Sequence, residues 1–217
     1  MATLEEMRSN VKIALDEEDI SDDLIDARIN EGLLFCSRYT TLTDLEAIGT
    51  FDTALDSNEV PIPVEWNYQR KIYDAGVPET PPIVIAASLA IFKTKYPKVD
   101  IEIENGDIAM ICARKGTLIY FPVPEQITTV TCKFYENPTP LKKPKDVPDC
   151  LPVALHNTLL ESYALWKTFA LIEVGVEGPK TNTKYYKNEF YEAVALIDEY
   201  LDEGQSSPEP VRGNSWI

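Results

Sequence analysis

The chain has 217 residues, which allows one domain of moderate size or two small ones. Acidic residues outnumber basic ones by 36 to 20, so affinity for free DNA or an acidic membrane is not expected, because phosphate affinity comes from Lys and Arg. No apolar run approaches the roughly 18 residues that a membrane span needs. The acidic, amphipathic start MATLEEMRSNV is not typical of a signal peptide, so we expect a protein that is located or assembled in the cytoplasm.

Two helices are predicted at the N-terminal end. In the first, Thr3 and Glu6 match a capping box. In the second, Ser21 is the predicted N-cap, and the helix should end near Tyr39. The sequence between them is short, so the helices should pack as neighbours. The apolar stripes are Met7, Val11, Ala14 and Leu15 in the first helix, and Leu24, Ile25, Ile29, Leu33 and Cys36 in the second.

Residues 40–149 change to a β-rich pattern interrupted by prolines. The stretch from Glu59 to Pro63 suits an edge strand, and residues 83–97 predict a strand that passes into a short helix ended by Pro97. Asn105-Gly106 and Lys115-Gly116 are typical hairpin turns. Further strands are predicted at Gln69 to Tyr73, Ile101 to Ile103, Ile108 to Ala113, and Thr117 to Phe121.

A Pro122-Val123-Pro124 corner precedes the last predicted strand, which runs from Ile127 to Tyr135. Polar and apolar residues alternate along this strand, and this pattern indicates that one face is buried. Short strands that recur about every ten residues favour a small antiparallel sandwich or barrel.

Residues 136–152 hold five prolines and three lysines, which predicts an extended linker. Lys142, Lys143 and Lys145 could contact an acidic neighbour or a phosphate, or they could simply be solvated. Two helices follow. The first begins at Pro152 and runs to about Val174, with apolar residues at spacings of three and four, and the second runs from Thr181 to about Leu201.

The order helix, helix, sheet, helix, helix predicts an α+β fold. Residues 1–39 and 150–203 would form a four-helix bundle-like part, because the two helical pairs must meet in space to bury their apolar stripes. Residues 40–149 would be an inserted antiparallel β-sandwich or barrel with proline-rich linkers, and residues 204–217 a flexible C-terminal tail.

The sequence contains no nucleotide-binding glycine motif, HExxH or EF-hand loop. The single histidine, His156, could form a dyad with Cys150 or Cys132, but no nucleophile motif flanks them, and a structural role in the helix is favoured. Cys36 and Cys112 complete four cysteines that show neither metal-ligand nor disulfide spacing, so buried free thiols are expected. We therefore predict no catalytic residue, no cofactor and no metal.

Two aromatic features remain. Tyr185, Tyr186, Phe190 and Tyr191 could form a base-stacking platform, but packing between helices is the commoner role at helical spacing. The polar tail QSSPEPVRGNSWI ends in Trp216-Ile217, which is either a frayed end or an anchor that a partner receives.

The order of these elements resembles the head-to-tail adaptor (neck or connector) proteins of tailed bacteriophages over roughly residues 3 to 201. The matching pieces are two N-terminal helices, Val60-Pro61-Ile62-Pro63, the turn, strand and corner from Gly116 to Pro124, the aromatic pair and prolines from Phe134 to Pro138, the helix start Leu151-Pro152, and Tyr186, Phe190 and Tyr191. The stretch from Thr43 to Asn58 is longer and more acidic than that pattern.

The resemblance implies a structural virion protein without catalysis. Twelve copies would form a ring below the portal, extend the DNA channel and offer a docking surface to the tail, so the expected partners are further copies of the chain, the portal protein, and tail or nozzle proteins. Packaged DNA would pass through without specific binding, and no membrane would be contacted. The expected location is the virion neck, between capsid and tail, after assembly in the host cytoplasm.

A portal groove would receive the C-terminal tail through Pro210, Val211, Arg212, Trp216 and Ile217. Three alternatives remain: another head-completion or tail-terminator protein, a small carbohydrate-binding module, or an unrecognised enzyme. Clustered carboxylates with histidines in a pocket would favour an enzyme, and aromatic side chains exposed on the sheet would favour a sugar-binding module.

Overall fold

The computed structural model describes residues 1–16, 20–99, 103–174 and 180–203, which form two compact units. The helical unit comprises Met1–Leu42 and the described residues from Pro138 onward, and the β unit comprises Thr43–Asn137. Helices and largely antiparallel sheets confirm the predicted α+β fold class. None of the helices in the described part of the chain is long and apolar enough to cross a membrane.

The described residues form five α-helices. They are α1 (Leu4–Leu15), α2 (Asp22–Tyr39), α3 (Leu89–Lys95), α4 (His156–Ile172) and α5 (Thr181–Glu203), of which only α3 belongs to the β unit. The capping box of α1 is confirmed, because the Thr3 amide donates to the Glu6 carboxylate at 2.9 Å and the Thr3 hydroxyl accepts from the Glu6 amide. Ser21 caps α2 as predicted.

Polar contacts confirm that α1 and α2 pack as neighbours. The Arg8 guanidinium on α1 donates two hydrogen bonds to the Asp26 carboxylate on α2, at 2.7 and 2.6 Å. Lys12 forms an ion pair with Asp22. The predicted stripe of α1 is correct except for Ala14, which is exposed, whereas Leu4 is fully buried.

The central element of the helical unit is α4, which packs against α1, α2 and α5. It therefore buries side chains on several sides rather than along one stripe. Three aromatic rings pack against one another where these helices meet. They belong to Phe35 of α2, Tyr163 of α4 and Phe190 of α5, and their centroids are 5.0 to 5.9 Å apart. The N-terminal and C-terminal helical pairs thus share one core.

The β unit is a sandwich of two sheets. Its strands are β1 (Glu46–Asp52), β2 (Glu59–Pro61), β3 (Tyr68–Gly76), β4 (Val84–Ile85), β5 (Met110–Arg114), β6 (Thr117–Phe121) and β7 (Thr129–Glu136). One sheet has the order β1-β7-β3 and the other β2-β6-β5-β4. The short, proline-bearing β2 is an edge strand, as predicted.

The core of the sandwich lies between the sheets, and Tyr120 of β6 and Phe134 of β7 are among its buried side chains. The other face of the four-stranded sheet is covered by α3, whose Phe92 is fully buried with Ile119 and Phe121. Both faces of β6 are therefore buried, which explains its continuous apolar sequence Thr117–Phe121. In β7 only alternate residues point into the core, so the predicted alternation is confirmed.

The structure differs from the expectation based on the sequence at three points in the β region. Strand β1 was not predicted, since Phe51 is its only buried residue. The pairing of β4 with β5 is parallel, because the intervening segment, which includes α3, supplies the crossover that parallel strands need. Asn105-Gly106 closes no hairpin, because Asn105 forms a parallel bridge with Val123. The predicted strand 101–103 begins outside the described residues.

The Lys115-Gly116 turn is confirmed. It joins β5 to β6, and both residues have positive φ, 44° and 84°, as a two-residue hairpin turn requires.

The two ends of the β unit lie side by side. Glu46, near its start, pairs with Tyr135, near its end, in the antiparallel ladder of β1 and β7. The last residue, Asn137, is held by Asn67, because its amide donates to the Asn67 carbonyl at 3.0 Å and its carbonyl accepts from the Asn67 side chain at 3.0 Å. Insertion of the unit therefore separates the flanking helical segments little in space.

Gly49 of β1 provides a stability test of the β unit. A Cβ atom there would lie 2.6 Å from Cε2 of Trp66, whose ring stacks on Phe134 at 4.5 Å. We expect Gly49→Ala to lower the free energy of unfolding by about 1 to 3 kcal/mol, because the indole has no room to move away. Urea unfolding followed by Trp fluorescence measures the change.

Gly76 of β3 is the matched control, because a Cβ added there meets nothing within 4 Å. Gly76→Ala should leave stability within about 0.5 kcal/mol of the parent chain. Equal effects of the two substitutions would contradict the close packing of Trp66 on β1.

Candidate interaction surfaces

The proline-rich segment after Asn137 is docked on the helical unit and is not the free linker that the sequence suggests. The Asn30 side chain on α2 holds it, since Oδ1 accepts from the Leu141 amide at 2.7 Å and Nδ2 donates to the Leu141 carbonyl at 3.0 Å. Leu141 itself is buried. Residues 138–149 therefore belong to the helical unit, whereas the sequence had assigned them to the β insertion.

The same segment satisfies the first turn of α1. The Leu4 and Glu5 amides, which have no partner within the helix, donate to the carbonyls of Asp146 and Pro144 at 2.9 and 3.0 Å. The Asp146 carboxylate accepts from the Lys142 and Lys143 amides at 2.8 and 2.9 Å. These backbone donors hold the pKa of Asp146 below its ordinary value.

This anchoring fixes the backbone that carries the lysines singled out from the sequence. The side chains of Lys142, Lys143 and Lys145 are exposed. They form a cationic loop whose shape is set by Asn30 and Asp146, so it can present three ammonium groups at low entropic cost. A contact with an acidic neighbour or a phosphate stays a prediction.

The aromatic residues of α5 divide between packing and surface. Phe190 is fully buried, and Tyr186 stacks on Phe169 of α4 with centroids 5.5 Å apart and planes 3° apart. Tyr185 and Tyr191 are 60% and 39% exposed. The four residues therefore do not form one continuous platform, because the helix turns two of them into the core.

A feature that the sequence did not reveal is a cationic–aromatic cluster between α4 and α5. The Lys167 ammonium lies 4.4 Å from the ring centroid of Trp166, and the Lys187 ammonium lies 5.6 Å from the same ring. Tyr191 contacts the other side of that group, with its ring 6.0 Å from Trp166. The Lys187 contact joins residues of different helices, so spacing along one helix could not show it.

His156 is buried near the start of α4, with its Nε2 2.9 Å from the Leu151 carbonyl. Burial raises the pKa of Cys36 and of Cys132 to about 12, so both thiols are protonated at neutral pH. None of the four cysteines forms a disulfide, and Cys150 is only partly buried. Neither buried thiol has the character of an activated nucleophile.

Grooves in the described part of the chain include the following two. One, of about 560 Å³, lies between α1 and the start of α4 and is lined by Glu6, Ser9, Asn10 and Asn157. The other, of about 700 Å³, lies in the β unit beside β3 and β4 and includes Arg70 and Lys71. Across the same described residues, no three His, Cys, Asp or Glu side chains are grouped to hold a metal ion.

Four aromatic side chains of the β unit point into the core of the sandwich. Phe51, Trp66, Tyr120 and Phe134 are each no more than 5% exposed. A sugar-binding face needs such rings at the surface, so these four cannot supply one without unfolding the core.

The five residues proposed for portal contact, Pro210, Val211, Arg212, Trp216 and Ile217, lie outside the described residues. Their role stays a prediction from the sequence.

No protein-family model and no curated protein sequence matches this chain.

Glu161 of α4 lies where α1 and α5 approach. The Asn10 side chain donates to its carboxylate at 2.8 Å. Burial raises the pKa of Glu161, and the negative charge of Glu189 raises it further. A carboxylate here is therefore less stable as an anion in the folded protein than in the unfolded chain.

The resulting pH dependence has a definite sign. Because folding raises the pKa of Glu161 above its ordinary value of 4.5, its contribution to stability is fully present below pH 4.5 and is lost as the pH rises through the folded pKa. We expect Glu161→Gln to raise the free energy of unfolding at pH 7 and to change it little at pH 4. Urea unfolding at a series of pH values measures this.

Glu173 provides the opposite case as a control. Its carboxylate caps α5 by accepting from the Thr183 hydroxyl and from the Asn182 and Thr183 amides, which lower its pKa. Glu173→Gln should therefore lower stability at pH 7 and have less effect at acidic pH. If both variants shift stability in the same direction at pH 7, the assignment for Glu161 is wrong.

The docking of the proline-rich segment can be tested at Asn30. Asn30→Ala removes both bonds to Leu141, and we expect a loss of about 1 to 3 kcal/mol because the buried backbone groups lose their partners. Hydrogen exchange of the Leu141 amide should accelerate together with this loss. Lys143→Ala, which truncates an exposed side chain in the same segment, is the control and should change neither quantity.

Proposed function

We propose that this chain is a structural virion protein, a head-to-tail adaptor that forms a ring below the portal and extends the DNA channel toward the tail. The observation that carries the proposal is the architecture, in which helices from both ends of the chain build one unit and a β-sandwich is inserted between them in the sequence. This is the order of elements on which the resemblance to adaptor proteins rests. Twelve copies per ring is the number that the resemblance implies.

The organisation of the chain into a helical unit and a separate β unit supports this proposal. The ends of the β unit leave side by side at Glu46 and Tyr135, so the sandwich can be carried as a module without interrupting the helical core. A ring needs a rigid wall for contacts between copies, and a separate module can serve the tail or the neighbouring copy. The docked segment 138–149 stiffens the connection on the helical side.

Exposed apolar side chains on the helices supply candidate contacts between copies. Ile13, Leu171 and Tyr185 are each more than half exposed. Exposed side chains of this size are common singly, but here they recur along the helices that would form the wall. A monomer would leave them in water, whereas contacts within a ring would bury them.

The charge of the chain supports a passage for DNA and not a DNA-binding surface. A net charge of −16, repeated by each copy around a channel, would repel the phosphates of DNA and let the duplex slide. Free DNA should therefore not bind at physiological salt, because the protein offers too few cations for counterion release.

The direct test is to mix the purified chain with the portal ring of the same virus and to image the product by electron microscopy. A ring coaxial with the portal supports the adaptor. A chain that binds the free end of a tail tube and leaves the portal bare would be a tail-terminator protein instead. A chain that binds neither would overturn the assignment to the virion neck.

The same mixture of chain and portal tests whether the C-terminal tail of the chain contacts the portal. Deletion of residues 205–217, which include Trp216 and Ile217, should abolish attachment to the portal, because the proposed aromatic anchor is lost. The circular dichroism spectrum should remain that of the parent chain, since the truncation begins after α5. Trp216→Ala is the narrower variant, and attachment unchanged in both would remove the tail from the portal contact.

A further inference from the structure

Helix α5 carries two exposed strips of opposite charge, one on each flank of its buried stripe. The buried stripe includes Phe190, Val194 and Ile197. On one flank, Lys184, Lys187 and Tyr191 recur at spacings of three and four, and we call them the cationic strip. On the other flank, the acidic strip consists of Glu192, Leu196, Glu199 and Tyr200, again at helical spacing.

The cationic strip continues onto α4. The ammonium groups of Lys187 and of Lys167 on α4 lie 5.6 and 4.4 Å from the centroid of the same Trp166 ring. Tyr191 packs against Trp166, and its ring is still 39% exposed. The surface therefore combines ammonium groups with aromatic rings that are held in place, in a chain whose overall charge is strongly negative.

The acidic strip has the complementary composition. Leu196 and Tyr200 are 40% and 43% exposed, and the exposed carboxylates Glu192 and Glu199 flank them. A half-exposed leucine and tyrosine between two carboxylates offer apolar area at the centre and negative charge at the rim. This is the arrangement that interfaces between proteins commonly have.

The two strips cannot contact each other within one chain. Tyr191 and Leu196 are five residues apart, which on a helix of 3.6 residues per turn places them roughly 140° apart around the axis. They face away from each other on opposite flanks of a helix whose remaining side is packed against α4. Within one chain, neither strip can therefore serve as the partner of the other.

We propose that the cationic strip of one copy docks on the acidic strip of the next copy. Lys184 and Lys187 would pair with Glu192 and Glu199, while Tyr191 and Trp166 would cover Leu196 and Tyr200. Because different surfaces meet, the contact is heterologous, and repeating it closes a ring when the rotation allows. That this contact closes into a ring rests on the proposed function. The proposal itself assigns the surfaces through which neighbouring copies meet.

Charge exchange between two variants tests this pairing. K184E/K187E makes both strips acidic, and E192K/E199K makes both strips cationic, so each variant alone should lose self-association. In an equimolar mixture, every contact pairs opposite charges again, and association should return. Sedimentation velocity at low salt and high protein concentration measures the mass distribution, and thermal melting shows that each variant is folded.

The expected effect is a self-association that is roughly tenfold weaker or more for each variant alone, because attractive pairs become repulsive. K95E/K115E is the matched control, since it makes the same charge change on two exposed lysines of the β unit that belong to neither strip, and it should associate as the parent chain does. Carbodiimide coupling of mixed ¹⁴N- and ¹⁵N-labelled parent chains should yield Lys187–Glu192 or Lys187–Glu199 peptides of mixed label.

Several outcomes would overturn the pairing. The pairing is wrong if the parent chain stays monomeric at its highest soluble concentration. It is also wrong if the two charge variants fail to associate when they are mixed. If the parent chain stays monomeric and binds a single-stranded oligonucleotide that K184E/K187E loses, the cationic strip recognises nucleic acid instead.

Failure of the pairing is separable from failure of the proposed function. If K184E/K187E forms coaxial rings on the portal as the parent chain does, these strips are not the contact between copies. The adaptor role would then remain intact. A chain that associates through the strips but binds no portal would reject the adaptor role and leave the pairing intact.

Discussion

The burial of α4 is the constraint on which the helical unit depends. Its side chains are covered by α1 and α2 from the N-terminal end of the chain and by α5 from the C-terminal end, with Phe35, Tyr163 and Phe190 at the junction. Neither helical pair could bury its apolar residues alone, so the two ends of the chain must meet across an insertion of some ninety residues. The insertion has to be accommodated without pulling them apart.

The β unit meets that requirement through the pairing of β1 with β7, which brings its entry and exit together. The chain then returns to the helical unit through a segment that Asn30 and the first turn of α1 hold in place. Closing a long loop costs less entropy when the loop is itself folded with adjacent ends. The prolines of residues 138–149 reduce that cost further, since they restrict the unfolded chain.

Charge is distributed unevenly over this framework. Acidic residues dominate the chain, yet cations are collected at the loop of Lys142, Lys143 and Lys145 and along Lys167, Lys184 and Lys187. An acidic protein with such local cationic patches can repel DNA while it still attracts acidic protein surfaces. The proposed adaptor role depends on the negative net charge of the chain. The proposed pairing of copies depends on the local positive charge of the cationic strip.

Local physical chemistry made much of the fold predictable from the sequence alone. The cap residues Thr3 and Ser21, the end of α2 at Tyr39, the Lys115-Gly116 turn and strand Thr117–Phe121 depend on neighbours only a few residues away, and all of them are confirmed. Among the candidate contact residues, the three lysines of the cationic loop could be identified from composition. The fixed shape of that loop could not be predicted in this way.

Tertiary structure decided the rest, because those features depend on partners far apart in the chain. The polar β1 is a strand only because β7 pairs with it and Trp66 covers Gly49. The segment that composition describes as a linker is docked because Asn30, more than a hundred residues earlier, bonds to Leu141. The cluster of Lys167, Lys187 and Trp166 likewise needs two helices side by side, and no pattern along one helix specifies that.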